Sequence, residues 1–230
     1  MSYIYPPLIK GEFIERKNRF AAVVAVAGRP EAVFVPNSGR LRELLTPGAE
    51  VYLAAKSGEH RVTGYDLALV RHGDILVSVD SHLPNRVVEN ALRQSVLEPF
   101  LGWEQINREY TYGRSRIDFR LRFTEQDCLL EIKSVTLVND GVAMFPDAPT
   151  TRGTRHLQEL AAAVQEGKRG AVLFLIQRQD ACAFAPNDAT DVVFGAALRT
   201  AARAGVEVYA YRCGVTMEQI SIVDRVPVNL

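Results

Sequence analysis

Apolar and polar residues alternate strictly along RSRIDFRLRF (114–123). Ile117, Phe119, Leu121 and Phe123 fall on one face, and Arg116, Asp118, Arg120 and Arg122 on the other. That is the pattern of a strand with one buried face. CLLEIKSVTLV (128–138) follows as a second strand-like run, mostly apolar but interrupted by Glu131 and Lys133. These two sit at i and i+2 and share a face, with Leu130 and Ile132 pointing the other way. Two charges in such a strand cost free energy unless they are paired or do chemistry.

The same reading predicts the elements on either side. Residues 8–16, 19–28, 31–36, 50–57, 61–71 and 74–80 read as strands, separated by turn residues such as Gly28-Arg29-Pro30 and His72-Gly73-Asp74. RLRELL (40–45) predicts a short helix, stopped by Pro47-Gly48. Three strands, a helix and further strands match the OB-fold, a small Greek-key barrel. The pattern changes after residue 82. Asn85 is a candidate N-cap for a helix whose stripe is Val88, Leu92, Val96 and Phe100. Strands near 106–112, 115–123 and 128–138 follow, then the loop NDGVAMFPDAPT and a helix from about 152 to 166 ending at Gly167. AVLFLIQ (171–177) reads as a buried central strand, 190–204 as a helix ended by Gly205, and VEVYAYR (206–212) as the last clear strand. The expected architecture is α/β, in two domains. Residues 1–82 form an OB-fold-like barrel, and residues 83–230 form a mixed-sheet domain of order αβββαβ, then αβ.

Composition narrows the function classes. The 230-residue chain is 47% apolar and 23% charged, ordinary for a globular protein. Its 27 basic and 27 acidic residues cancel, so net charge does not advertise a nucleic-acid binder. Local clusters do: Arg108, Arg114, Arg116, Arg120 and Arg122, and near the start Lys10, Arg16, Lys17 and Arg19. The plainer reading of both is a solvated strand face. Three scattered cysteines without a CxxC point to a reduced, cytoplasmic protein with neither disulfides nor a zinc site. No run approaches the roughly 20 apolar residues of a membrane span, and the N-terminus lacks the plan of a signal peptide.

If the two charged strands are antiparallel neighbours, Asp118, Glu131 and Lys133 converge on one patch. Two carboxylates offer hard oxygen ligands to Mg²⁺, which takes one or two protein carboxylates and keeps several waters. The metal activates a bound water and stabilises charge at phosphorus, and the lysine orients the water or neutralises developing charge. These parts suit phosphodiester hydrolysis. The alternative is a salt bridge between Asp118 and Lys133, with Glu131 on an arginine. The αβββαβ order around the trio is that of restriction-endonuclease-like PD-(D/E)xK nucleases.

Longer blocks carry a more specific resemblance. PNSGRLRELLTPG, PNR (84–86), RSRIDF, EIKSVTL, FPDAPTTRG and HLQEL resemble, in order and nearly end to end, the sugar fermentation stimulation protein A (SfsA) family. That resemblance implies an OB-like domain joined to a PD-(D/E)xK nuclease-like domain, DNA as partner, and a link to sugar (maltose) metabolism. Carried over, Asp118 and Glu131 are the metal ligands, for Mg²⁺ or Mn²⁺, and Lys133 is the catalytic lysine. Family members often carry an acidic pair on the first helix; this chain has Glu89-Asn90, leaving Glu89 alone. The expected activity is a metal-dependent DNA nuclease with little sequence preference; the alternative is a non-catalytic DNA-binding regulator.

Other residues have two readings each. Glu109 is a further acid near the metal or a counter-charge to the arginines. Asp147 borders the site or forms a turn. In TTRGTRH (150–156), Thr150 or Thr151 caps a helix. Thr151, Arg152 and Arg155 would then take a DNA phosphate, unless Arg155 pairs with Glu159 at i+4. Arg114 and Arg116 join them as DNA contacts. His156 is grouped with them too, with packing or hydrogen bonding as its plainer role. Phe20, Phe34 and Tyr52 are base-stacking candidates or core. His60, His72 and His82 are isolated.

Overall fold

The structure is a computed structural model and describes residues 2–58 and 61–230, so His60 lies outside the described residues. The chain enters through a short strand, β1 (Ser2–Ile4), and then builds a barrel that is antiparallel except at its closing pair. Its strands are β2 (Leu8–Asn18), β3 (Ala21–Val26), β4 (Arg29–Phe34), β5 (Glu50–Ala55) and β6 (Tyr65–His72), with β7 (Ile75–Ser78) added on β6. The order β4-β3-β2-β5-β6 closes into a five-stranded OB-like ring, because β4 also pairs with β6. Alternation along these strands turns Phe13, Val24, Val33, Val51, Leu53 and Leu67 inward as one core.

RLRELL does not form the expected helix. Residues 42–44 make only a turn. Leu41, Leu44 and Leu45 are drawn into the barrel core. Arg16, on β2, donates to the carbonyls of Asn37, Gly39 and Arg40, fixing the preceding backbone in a non-helical path.

The second half opens with α1 (Leu83–Arg93). Its buried face is Leu83, Val87, Val88, Ala91 and Leu92, so the expected stripe stops there. Val96 is exposed, and Phe100 is buried from a separate 3₁₀ turn. The strands are β8 (Gln105–Tyr112), β9 (Ser115–Arg122), β10 (Asp127–Val135), β11 (Val138–Asn139) and β12 (Val142–Phe145). After them come α2 (Thr151–Gln165), β13 (Arg169–Ile176), β14 (Ala183–Pro186), α3 (Val192–Arg203), β15 (Glu207–Val215) and β16 (Gln219–Arg225).

The main sheet has the order β1-β16-β15-β13-β10-β9-β8, so the first strand of the chain is its edge. β10, β13 and β15 run parallel at the centre, and their neighbours are antiparallel. Leu157 and Leu160 of α2, with Phe194 and Leu198 of α3, cover one face. On the other face, Val87 and Leu92 of α1 and Tyr52 and Leu69 of the barrel pack on Leu130, Leu173 and Phe119. Both faces of β13 are thus buried, which is why it reads as an unbroken apolar run. Gln177, fully buried, joins barrel to sheet by accepting from Ser78 N and donating to Ser134 Oγ. A small sheet, β11-β12-β14, occupies much of the expected loop NDGVAMFPDAPT. Among the described residues no helix is long and apolar enough to cross a membrane.

Candidate active site

The site begins where β9 and β10 part. Their antiparallel register runs from Asp127↔Arg122 to Leu130↔Phe119. One further step would put Glu131 opposite Asp118, but the ladder stops. Asp118 turns its carboxylate into the gap, where Oδ2 accepts the Ile132 N–H at 2.7 Å. Its Oδ1 accepts from Asn85 Nδ2 at 2.7 Å. Asn85 is therefore not the helix cap: His82 holds that position, without a side-chain hydrogen bond, and Pro84 occupies the first turn.

Glu131 and Lys133 stand side by side on β10, as the period-two pattern requires. Glu131 is 3% exposed. Its Oε1 accepts from Lys133 Nζ at 2.6 Å and bonds His156 Nδ1. Its Oε2 is buried with no hydrogen-bond partner among the described residues. His156 reaches Glu131 because α2 is anchored at its start. Thr150 caps the helix by accepting from Gly153 N at 3.0 Å, and Asp191 accepts from Thr150 N at 2.8 Å. Arg152, one turn before, donates from Nε to His156 Nε2 at 3.3 Å.

Burial, reinforced by the charge of Glu131, pushes the Asp118 carboxyl up to about 6. Burial also works against ionisation of Glu131, but Lys133 and the His156 hydrogen bond outweigh it and hold that group below its ordinary range. The environment thus splits the pair into one firmly ionised acid and one that keeps a proton into mildly acidic conditions. Both border a cleft of about 580 Å³ between barrel and sheet. Arg19 lines it from the barrel, Arg86 from α1, Arg108 and Arg116 from β8 and β9, and Arg152 from α2.

The salt-bridge arrangement expected as the alternative does not occur: Lys133 pairs with Glu131, and Asp118 takes uncharged N–H donors. The other candidates divide. Glu109 lines the cleft; Arg108↔Phe119 and Tyr110↔Ile117 leave it facing Asp118 across the strands. Its φ of +54° is a left-handed conformation, a strain of about 1–3 kcal/mol for a non-glycine residue. Its side chain approaches Arg116 at 3.5 Å. Glu89 is taken up by Arg93 at 2.8 Å and Arg108 at 3.1 Å and does not line the cleft. Asp147 lines it, but accepts from Leu41 N at 2.7 Å and so ties the barrel loop to the sheet. A Cβ at Gly39 would come within 2.9 Å of the same Asp147 oxygen, so a side chain there would have to displace Asp147.

Arg114 and Thr151 are exposed outside the cleft lining. Arg155 donates to Ser115 Oγ at 3.3 Å instead of pairing with Glu159, which accepts from Arg114 N. His156, grouped with the DNA contacts from sequence, is 1% exposed and faces Glu131. Its place beside the apolar stripe of α2 was the signal for burial. Nothing local marked Asn85 as the partner of Asp118. Tyr52 is core and Phe34 half-buried, whereas Phe20 is 46% exposed.

The donor set fits a hard divalent cation. Two carboxylates adjoin, one with an unspent buried oxygen. Among the described residues no group of three His, Cys, Asp or Glu side chains gathers as a metal cage. Such a site suits an ion that keeps most of its water.

Comparisons with known proteins agree along the whole chain. Residues 14–79 match the family described as the SfsA N-terminal OB domain, and residues 82–219 the sugar fermentation stimulation protein RE domain. A sugar fermentation stimulation protein homolog of Desulforamulus reducens is 47% identical over 227 residues, covering 99% of this chain and 95% of its own. One from Moorella thermoacetica is 48% identical over 225 residues, covering 97% of each. The structure of Pyrococcus furiosus SfsA in complex with Ca²⁺ superposes with a TM-score of 0.93 at 29% identity, over 100% of both chains.

Proposed function

The chain belongs to the sugar fermentation stimulation protein family, and on that premise we propose that it is a DNA-binding, Mg²⁺-dependent nuclease of the cytoplasm. It would hydrolyse phosphodiesters with little sequence preference, using a PD-(D/E)xK site. The observation that carries this reading is the buried, unpartnered Oε2 of Glu131 beside an Asp118 whose carboxyl resists ionisation. An uncompensated acceptor of this kind is costly to bury, and a cation satisfies it. The Ca²⁺ complex of the Pyrococcus furiosus relative supports a divalent ion in this fold.

Asp118 and Glu131 would hold Mg²⁺ or Mn²⁺. Such an ion supplies a water of lowered pKa and stabilises charge on the phosphate. Lys133, 2.6 Å from Glu131 and lining the same cleft, brings a positive charge to the scissile phosphate. Asn85 and the Ile132 N–H hold Asp118 in place before any ligand arrives. Arg86, Arg116 and Arg152 in the cleft, with Arg114, Thr151 and Arg155 beside it, would contact the backbone, and Arg19 would contact it from the barrel. Phosphate contacts position a strand without reading its sequence.

The test is cleavage of single- and double-stranded DNA by purified protein with Mg²⁺ or Mn²⁺. Metal-dependent cleavage that disappears in Glu131→Gln and Lys133→Met is expected. Salt-sensitive DNA binding with no cleavage under any of these conditions would replace the nuclease with a non-catalytic regulator linked to sugar metabolism.

A further inference from the structure

We infer that His156 is a positioning residue for Glu131, and that Glu131 on one side and Arg152 on the other both demand the tautomer in which it acts. Arginine has five N–H donors and no acceptor. The contact from Arg152 Nε to His156 Nε2 therefore requires a lone pair on Nε2. The ring proton then sits on Nδ1, and that N–H is donated to Glu131 Oε1. The ring is buried, 1% exposed, between Glu131 and Arg152, both of which line the cleft.

Lys133 alone could not fix the carboxylate. An ammonium on a four-carbon stem offers three donors in a rotating cone and follows the oxygen it binds. A planar ring on an anchored helix has one donor in one direction. Both donors converge on Oε1, so the carboxylate plane is set and Oε2 is left unspent. Asp118 is held by an equivalent division of labour, with one side-chain amide and one backbone N–H. Each acid thus has one donor from a helix: Asn85 of α1 for Asp118, His156 of α2 for Glu131.

The inference rests on the metal reading for its consequence, that Oε2 is the ligand oxygen, but not for the tautomer. Two measurements separate them. The first is ¹⁵N NMR of the imidazole in the metal-free protein at mildly alkaline pH. The Nδ1–H tautomer is expected in the unsubstituted protein and in Arg152→Met, where Glu131 still accepts from Nδ1, and should give way to a mixture only when Glu131→Gln is added to Arg152→Met. An Nε2–H tautomer in the unsubstituted protein overturns the proposal.

The second is Mn²⁺ affinity by calorimetry, without DNA, with melting temperatures alongside. His156→Asn places an amide donor where Nδ1 was and should stay within a few-fold of the unsubstituted protein. His156→Leu removes the donor and should lose about 10–100-fold, the usual effect of deleting a group that orients a metal ligand. Equal affinity in the folded Asn and Leu variants, with only the melting temperature lowered, would reduce His156 to a packing residue. Failure of the unsubstituted protein to bind Mn²⁺ would overturn the metal reading itself. The NMR result then decides alone whether Arg152 and His156 orient Glu131.

Discussion

Two charged clusters sit on neighbouring strands of the same sheet and have opposite characters. At the start of β13 and β15, Arg169 grips Glu207 with both a Nε and a Nη2 contact of 2.9 Å. Arg169 also donates to the Pro99 carbonyl, and the Tyr209 hydroxyl donates to Glu207 at 2.7 Å. The guanidinium lies 5.8 Å from the Phe100 ring and 5.3 Å from the Phe123 ring. Burial opposes ionisation of Glu207, but Arg169 and Tyr209 more than offset it and lower its pKa. Further along β10, Asp118 and Glu131 share one buried neighbourhood with a single lysine. One carboxyl is pushed up to about 6, and one oxygen has no partner. Both places set a basic side chain against an acidic one, the first pair about a quarter exposed and the second nearly buried. What distinguishes them most is the pairing of the acids: both Glu207 oxygens accept hydrogen bonds, whereas Glu131 Oε2 has no partner among the described residues.

The sharpest break between them is in activity. Glu131→Gln or Lys133→Met should lower metal-dependent cleavage about a thousandfold. Glu131→Gln should leave the fold intact, because Asp118, largely ionised at neutral pH and relieved of its neighbour's charge, remains as a counter-charge for Lys133. Cleavage unaffected by Glu131→Gln in a normally melting protein would remove the catalytic assignment.

The other cluster should respond in stability and not in chemistry. Arg169→Ala strands Glu207 and should destabilise the protein by about 2–3 kcal/mol in denaturant unfolding. That is the lower side of the range for a broken buried pair, because both partners remain about a quarter exposed. A change as small as that of a surface pair would make the two clusters less different than their geometry implies.

Asp118→Asn should do the reverse and stabilise the metal-free protein. The folded-state pKa of Asp118, about 6, lies above its ordinary 3.8. Between those values the folded state binds the extra proton, so this group's contribution is present at low pH and is lost as pH rises from about 4 to about 6. Two units at about 1.36 kcal/mol each amount to roughly 2–3 kcal/mol. The variant should therefore unfold later than the unsubstituted protein at neutral pH, with the gain vanishing near pH ~4. An equal gain at both pH values would mean that the carboxylate is not under strain.

The smallest effect belongs to the exposed arginines. Arg114→Ala should weaken binding to all DNA sequences alike and reduce the salt slope of the affinity by about one. Salt-independent binding would mean that these arginines are the solvated strand face their composition first suggests.

Much of this was legible along the chain. The barrel strands, the three central parallel strands and both helices behind them follow from local patterns: strand-forming runs bounded by turns, a period of 3.6, and for β13 an unbroken apolar run. The breaks occurred where a local preference met a tertiary demand. RLRELL has helical composition, but its leucines are used by the barrel core and its approach is fixed by Arg16. β16 escaped notice because QISIVDR alternates weakly, being half-buried at one end and exposed at the other. β1 was invisible because its partner, β16, lies at the far end of the chain.

The candidate site divides in the same way. The sequence by itself determined that Glu131 and Lys133 share a face, that Asp118 lies on the neighbouring strand, and that a helix opening with TTRG follows them. Strand period and turn chemistry act over a few residues, and no packing is needed to enforce them. Partners were decided only by the tertiary structure. Asn85 meets Asp118 across 33 residues and His156 meets Glu131 across 25, while Glu89 is diverted to Arg93 and Arg108. Those contacts depend on where β9 and β10 part and on how α1 and α2 dock on opposite faces of one sheet. Periodicity sets the face a side chain is on; depth, and the group that waits there, come from the packing of elements far apart in the chain.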